Sequence, residues 1–224
     1  MRQILQNFKT ACLLCALAPS DEFGLCVGCL HDLPWYKVAH CRRCARLSPT
    51  PLCGACLHMP PAFDATHALF CYEFPLNALL VRYKYNGALH LAKLFAALMA
   101  AHHQAHSTID ALIPMPMHPQ RLKERGFNQA LEIARDLAVH KGLPLRKTTC
   151  VRVKHTPPQT SLKLKARLAN VRGVFACTEP VAALRIALID DIMTSGASLN
   201  ALAATLKQAG ALHVECWVVA RTVL

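Results

Sequence analysis

Asp190 and Asp191 stand side by side at the end of the apolar run Ile186 to Ile189, and a loop of small residues, Thr194, Ser195, Gly196, Ala197 and Ser198, follows shortly after. Such a loop can turn its backbone amides toward an anion at the N-terminus of a helix beginning near Leu199, where unpaired N–H groups and the macrodipole favour negative charge. The two carboxylates would repel a phosphate placed against them, so they must face something else. A sugar fits: carboxylates accept hydrogen bonds from vicinal hydroxyls while the loop holds the phosphate at the other end. The run before them reads as a buried parallel strand, because its apolar residues are continuous and bounded by charge.

A second chemistry lies in four CxxC pairs: Cys12 and Cys15, Cys26 and Cys29, Cys41 and Cys44, Cys53 and Cys56. Two thiolates two residues apart grip one face of a metal ion from a tight turn, so two pairs complete a tetrahedral site and four pairs imply two structural zinc ions. A redox dithiol needs no such repetition, and Cys71, Cys150, Cys177 and Cys216 lie singly in apolar runs, as free thiols do in a reducing compartment. Sequential pairing makes two consecutive ribbons and closes the shorter loops; an interleaved cross-brace is the alternative.

The chain carries 25 Lys and Arg against 13 Asp and Glu, a formal charge of +12, which favours a polyanionic partner. Arg121, Lys123 and Arg125 lie on one short segment, and Lys154 to Arg172, which includes Arg167, forms a second basic stretch. With helical spacing, Arg121 and Arg125 make a fork of guanidinium groups suited to phosphate, or else a solvated face. Tyr83, Tyr85 and Phe127 interleave with Arg82, Lys84 and Arg125, a pattern that stacks bases or covers a core. His118 is a turn residue or a site residue, and His102, His103 and His106 read as a wet helix end.

These groups need elements to hold them. At 224 residues the chain has room for an ordinary domain and a small metal-held module. Pro60 and Pro61 mark a boundary, giving a zinc module over 1–60 and a second domain over 61–224. Thr66 to Phe74 reads as a strand, at an edge; Leu76 to Tyr83 and Leu89 to Met99 have helical spacing about an Asn86–Gly87 turn. Ile109 to Ile113 is a short strand, Asn128 to His140 a helix closed by Lys141 and Gly142, Leu145 to Val153 another strand, and Val214 to Ala220 the strand that closes the sheet. Lys154 to Arg172, with two prolines, reads as a mobile segment. Strands alternating with helices predict an α/β class protein, a parallel sheet flanked by helices, with the phosphate loop at a strand's carboxyl end. No apolar run approaches the roughly 20 residues needed to span a membrane. The start, a charged segment before TACLLCALA, mimics a signal peptide, but its two cysteines repeat the spacing of the other pairs and read better as ligands, so the expected location is the cytoplasm.

The stretch RIALIDDIMTSGAS resembles the phosphoribosyl pyrophosphate (PRPP) loop of the type I phosphoribosyltransferases. Together with the four cysteine pairs, IPMPMHPQRLKERGFNQA from Ile113 and the Thr156, Gln159, Leu162 pattern with Arg167, Asn170 and Phe175, the chain resembles the ComF family, including its GntX-like branch. The resemblance implies a double zinc ribbon joined to a phosphoribosyltransferase-like domain. It implies that Asp190 and Asp191 hold the ribose as the catalytic pair, that Thr194 to Ser198 hold the 5′-phosphate, that Mg²⁺ accompanies PRPP, and that Met115 to His118 meet pyrophosphate. The stretch after Lys154 takes the place of the loop that closes over the leaving group. It further implies a part in natural transformation, binding single-stranded DNA and working beside the DNA-uptake machinery. Active transfer of ribose 5-phosphate to a nucleobase or related acceptor is the alternative. With little chain after the last strand, only the zinc module is expected to roof the site.

Overall fold

The computed structural model describes residues 11–21, 24–85, 87–102, 108–154 and 173–222. Several residues named above, Asn86, His103, His106, Thr156, Gln159, Leu162, Arg167 and Asn170, lie outside them, as do the leader-like first ten residues and the basic stretch beyond Lys154.

Four parallel strands form the main sheet: β1 (Ala65–Cys71), β2 (Ala111–Pro114), β5 (Arg185–Met193) and β6 (His213–Arg221), in the order β1-β6-β5-β2. β6 is therefore interior, hydrogen-bonded on both sides, and does not close the sheet at an edge as its position near the end of the sequence suggests. The expected strand over Leu145 to Val153 also divides. Leu145 makes a single parallel bridge to Leu112, whereas β3 (Cys150–Arg152) leaves the sheet and pairs antiparallel with β4 (Phe175–Cys177). Pro144 and Arg146 complete the bridge through their carbonyl and amide to Leu112, but nothing beyond them continues it.

Both faces of the sheet are covered, which is why β5 and β6 read as continuous apolar runs. One face carries Ala187, Ile189, Trp217 and Val219 and packs under α3 (Leu76–Tyr85), α4 (His90–His102) and α6 (Gln129–Lys141). The other carries Ile186, Leu188, Val214, Cys216 and Val218 and packs under α7 (Ala197–Gln208). The cysteine-rich segment, with its short helices α1 (Val27–His31) and α2 (Gly54–His58), contributes to both. Cys12, Leu25 and Leu33 join the first core and Cys41, Cys44, Cys56 join the second.

Residues 34–43, which lead into and open the second cysteine cluster, seal the free edge of β1. The Tyr36 amide donates to the Leu69 carbonyl, the Cys71 amide to Pro34, and the Thr66 amide and hydroxyl to Arg42 and Arg43. An uncovered edge strand would offer the same groups to another chain.

Candidate functional site

Because the strands are parallel, the segments leaving β2, β5 and β6 emerge on one side, and the acidic pair sits there. β5 runs through the carboxylates and ends only at Met193, so they belong to its last turns of pleat rather than to a loop beyond it. Register with β6 holds at Asp190–Val218 and resumes at Ile192–Ala220. At the interruption, the Asp191 amide donates to Asp190 Oδ1 at 2.9 Å and the Ile192 amide to Asp191 Oδ1 at 2.7 Å.

The two carboxylates differ in surroundings. Asp191 is buried and meets Lys84 Nζ, from α3, at 3.0 Å. Burial, and then the negative charge of Asp191, push the Asp190 carboxyl up to about 8, against the opposing pull of Lys84.

Both acids line a hollow of about 150 Å³ whose opposite wall is basic: Arg121 and Arg125 from α5 (Pro119–Arg125) and Arg152 from β3. Burial and the nearby Arg121 charge lower the Arg152 pKa, while Asp190 opposes them. Three guanidinium groups and two carboxyls thus share a small space.

The RGFNQ stretch builds the corner that aims this wall. Gly126 ends α5 in the left-handed region at φ 80°. Phe127 packs on Tyr83. The Asn128 side chain caps α6 by accepting from the Ala130 and Leu131 amides and donates to the Met115 carbonyl, pinning the segment after β2. Gln129 Oε1 accepts from Arg125 at 3.3 Å. Its Nε2, buried in the wall of the hollow, has no protein partner among the described residues, a donor of the kind that a ligand oxygen satisfies.

Beyond Asp190 the hollow continues into a niche of about 50 Å³ formed by Thr194 to Leu199. α7 begins at Ala197, two residues earlier than expected, so Ala197 and Ser198 belong to its first turn and the loop proper is Thr194 to Gly196. Gly196 caps the helix at φ 77°, and the Ser195 hydroxyl accepts from the Ala197 amide at 3.3 Å. A shallow polar niche at a helix N-terminus has the chemistry of an oxyanion site.

The cysteines fall into two groups, Cys12, Cys15, Cys26, Cys29 and Cys41, Cys44, Cys53, Cys56, each with its sulfurs within 4.8 Å of one another. This is the sequential arrangement. A tetrahedron with Zn–S of about 2.3 Å has edges of about 3.8 Å. Cys15 to Cys26 spans 3.9 Å and Cys44 to Cys53 spans 3.7 Å, so both groups fit a zinc ion that would cross-link each ribbon. Burial opposes ionisation at Cys12 and Cys41, but backbone amides outweigh it and bring these thiols down to about 6 and about 7, toward the ligating thiolate.

No family model matches the chain. Competence protein F of Haemophilus influenzae is 29% identical over 209 residues, covering 88% of this chain and 90% of its own. DNA utilization protein YhgH of Salmonella typhimurium is 28% identical over 94% of this chain and 96% of its own. Competence protein ComFC of Streptococcus pneumoniae is 26% identical over 96% and 97%. Each of these similarities spans most of both chains. This chain therefore resembles competence and DNA utilization proteins. Among solved structures, a glutamine PRPP amidotransferase from B. subtilis overlaps 57% of this chain and 25% of its own at 16% identity and a TM-score of 0.39, a likeness too loose to carry weight.

The structure brings together Asp190, Asp191, Ser198, Arg121 and Arg125 and sets Thr194 to Ala197 next to them. Lys123 and Lys154 are exposed and do not line the hollow. His118 is the N-cap of α5, accepting from the Gln120 amide. Tyr83 is core, its hydroxyl donating to the Gln129 carbonyl, whereas Tyr85 is exposed beneath the Arg125 guanidinium, 5.4 Å from its ring centre. Sequence reasoning missed Lys84 as the partner of Asp191, and Arg152 and Gln129 as walls of the hollow. For Arg152 a signal existed, a lone cation ending a short apolar strand; for Lys84 there was none, because α3 meets the site only through tertiary packing.

Proposed function

We propose that this chain is a ComF-type protein that binds PRPP with Mg²⁺ at the hollow and its adjoining niche, and handles single-stranded DNA during DNA uptake in the cytoplasm. The carrying observation is the order of charges: an amide-rich niche, a pair of carboxyls, then three guanidinium groups. PRPP carries a phosphate, then hydroxyls, then pyrophosphate in the same order. In this reading Thr194 to Ser198 hold the 5′-phosphate, Asp190 and Asp191 orient the ribose, and Arg121, Arg125 and Arg152 meet pyrophosphate. Asp190 and Asp191 offer hard oxygen ligands near which a Mg²⁺ accompanying PRPP would offset the repulsion between diphosphate and carboxylates. Residues 1–60 then act as the ribbon module and 61–224 as the ligand-binding domain.

The DNA reading draws on relatives named for competence and DNA utilization, on the formal charge of +12, and on Lys123, Lys154 and the Arg125–Tyr85 stack outside the hollow. Calorimetry with PRPP and Mg²⁺ tests the first half: heat of binding that disappears in the Asp190→Asn, Asp191→Asn double variant supports it, and unchanged affinity in that variant removes it. Fluorescence anisotropy with single-stranded DNA tests the second.

Transfer chemistry is a second reading, favoured by the placement of Asp190 inside the hollow, where a carboxyl pushed up by burial can exchange a proton with a bound acceptor. Release of pyrophosphate on adding each common base, or single-stranded DNA, distinguishes turnover from binding.

A further inference from the structure

Arg221, the last residue of β6, is 2% exposed and lies between the second cysteine cluster and the phosphate loop. Its Nε donates to the carbonyl of Cys44, itself one of the four sulfur ligands, at 3.2 Å. Its Nη1 donates to the carbonyl of Met193 at 2.9 Å, to that of Thr194, and to that of Thr222 at 3.1 Å. Met193 and Thr194 are the two residues through which β5 enters the loop. One guanidinium therefore holds a carbonyl of the metal knuckle and both carbonyls at the root of the loop.

Further contacts bind the same two parts. The Ala62 amide, just past the ribbon, donates to Asn200 Oδ1 in the first turns of α7 at 2.6 Å. The Phe63 ring approaches the Gly196 position, and the Tyr36 hydroxyl fixes the Ala45 carbonyl beside Cys44. A trans peptide sets its N–H opposite its C=O, so holding the Met193 and Thr194 carbonyls on Arg221 turns the Thr194 and Ser195 amides away from the guanidinium. A buried guanidinium that loses an acceptor keeps its desolvation cost, so it cannot release the Cys44 carbonyl without rearranging at the loop.

We propose that Arg221 is a positioning residue that couples the second zinc ribbon to the phosphate loop, so that metal occupancy of Cys41, Cys44, Cys53 and Cys56 sets how well the loop binds phosphate. The first cluster, Cys12 to Cys29, shows no such link among the described residues and serves as the internal control. The ligand consequence rests on the PRPP reading; the mechanical coupling does not.

The test uses the full chain loaded with both zinc ions. Amide hydrogen exchange across 194–198 is measured without ligand in the unmodified chain, in Arg221→Met and Arg221→Lys, and in Cys53→Ser and Cys26→Ser, which weaken one metal site each. Faster exchange, by about tenfold, is expected in Arg221→Met and Cys53→Ser but not in Cys26→Ser, with Arg221→Lys intermediate because lysine keeps the charge but not the fork. If Arg221→Met does not fold, the comparison of Cys53→Ser with Cys26→Ser decides alone. By reciprocity, PRPP with Mg²⁺ tightens one of the two zinc sites about tenfold in equilibrium competition with a chelator, and Arg221→Met abolishes that tightening. Loop exchange indifferent to Arg221→Met and Cys53→Ser overturns the coupling. Loss of PRPP binding in the unmodified chain, with the exchange pattern intact, overturns the ligand reading only.

Discussion

Asp190→Asn should make this protein more stable in mild alkali, and its effect should vanish in acid. The Asp190 carboxyl is pushed up to about 8 by burial and by Asp191, while in the unfolded chain it titrates near 3.8. The native state therefore keeps a proton that the unfolded state has lost. Stability from this group is fully present below about pH 4 and is lost as pH rises toward 8, at about 1.4 kcal/mol per pH unit. Taken over the whole window that would approach about 6 kcal/mol, but Asp190 borders an open hollow, so water reduces the expected loss to about 2–3 kcal/mol. Asparagine has the same shape and cannot ionise, so it escapes the loss. Urea unfolding of both proteins at pH 5, 7 and 9, with zinc saturating, should show a growing advantage for Asp190→Asn, and the same variant should lose PRPP affinity. Zinc ligation also depends on pH, but equally in both proteins, and cancels in the difference. A constant or reversed difference from pH 5 to pH 9 would mean that Asp190 is an ionised structural carboxylate, and the reasoning from burial would fail.

Metal analysis of the purified chain should find about two zinc ions, and one or none would reject the double-ribbon assignment. Replacing Arg121, Lys123 and Arg125 by alanine should weaken single-stranded DNA binding and flatten the plot of log affinity against log salt by up to about two, at roughly 0.7 per phosphate contact; a slope that does not move places the DNA elsewhere. Gly196→Ala should cost about 1 kcal/mol in unfolding experiments, because alanine at φ 77° is strained. Its Cβ would also stand 2.6 Å from the mobile end of Met193, so PRPP affinity should fall more than stability does. Tyr83→Phe should cost about 1–2 kcal/mol in stability by removing the buried bond to Gln129, with little effect on DNA affinity.

Local signals read truly from the sequence where the chemistry itself is local. The CxxC turns, the apolar run of β5, the small-residue loop and the Gly142 helix stop each carry their geometry within a few residues. What the sequence could not convey depends on neighbours far along the chain. β6 is interior because β1 pairs with its far side, and nothing in residues 213–221 distinguishes that from an edge. The apolar content of Leu145 to Val153 suits a strand, yet only Leu145 reaches the sheet, since Cys150 finds Cys177 as a partner instead. Tyr83 and Tyr85 differ by two residues on a helix, so one faces the core and the other solvent; periodicity separates them, but not which side the core takes. Lys84 lies between them in sequence and is carried to Asp191 only by the docking of α3.

The cysteine-rich segment is usefully compared with what a four-stranded parallel sheet needs. Such a sheet must hide two apolar faces and two edges, and helices α3, α4, α6 and α7 leave part of each face and the β1 edge to be covered. The first cluster completes the core beneath α4 and α6, residues 34–43 close the edge, and the second cluster completes the core beside α7. The ribbons thus grip the sheet from opposite faces, and their loss should have different consequences. Losing the first removes Cys12, Leu25 and Leu33 from the larger core, so its main cost is in global stability. Losing the second disturbs Phe63, Met193 and the Cys44 carbonyl, all at the root of the phosphate loop, so its main cost is in the site. Two metal centres of identical chemistry acquire distinct roles solely from the face of the sheet on which each one lands.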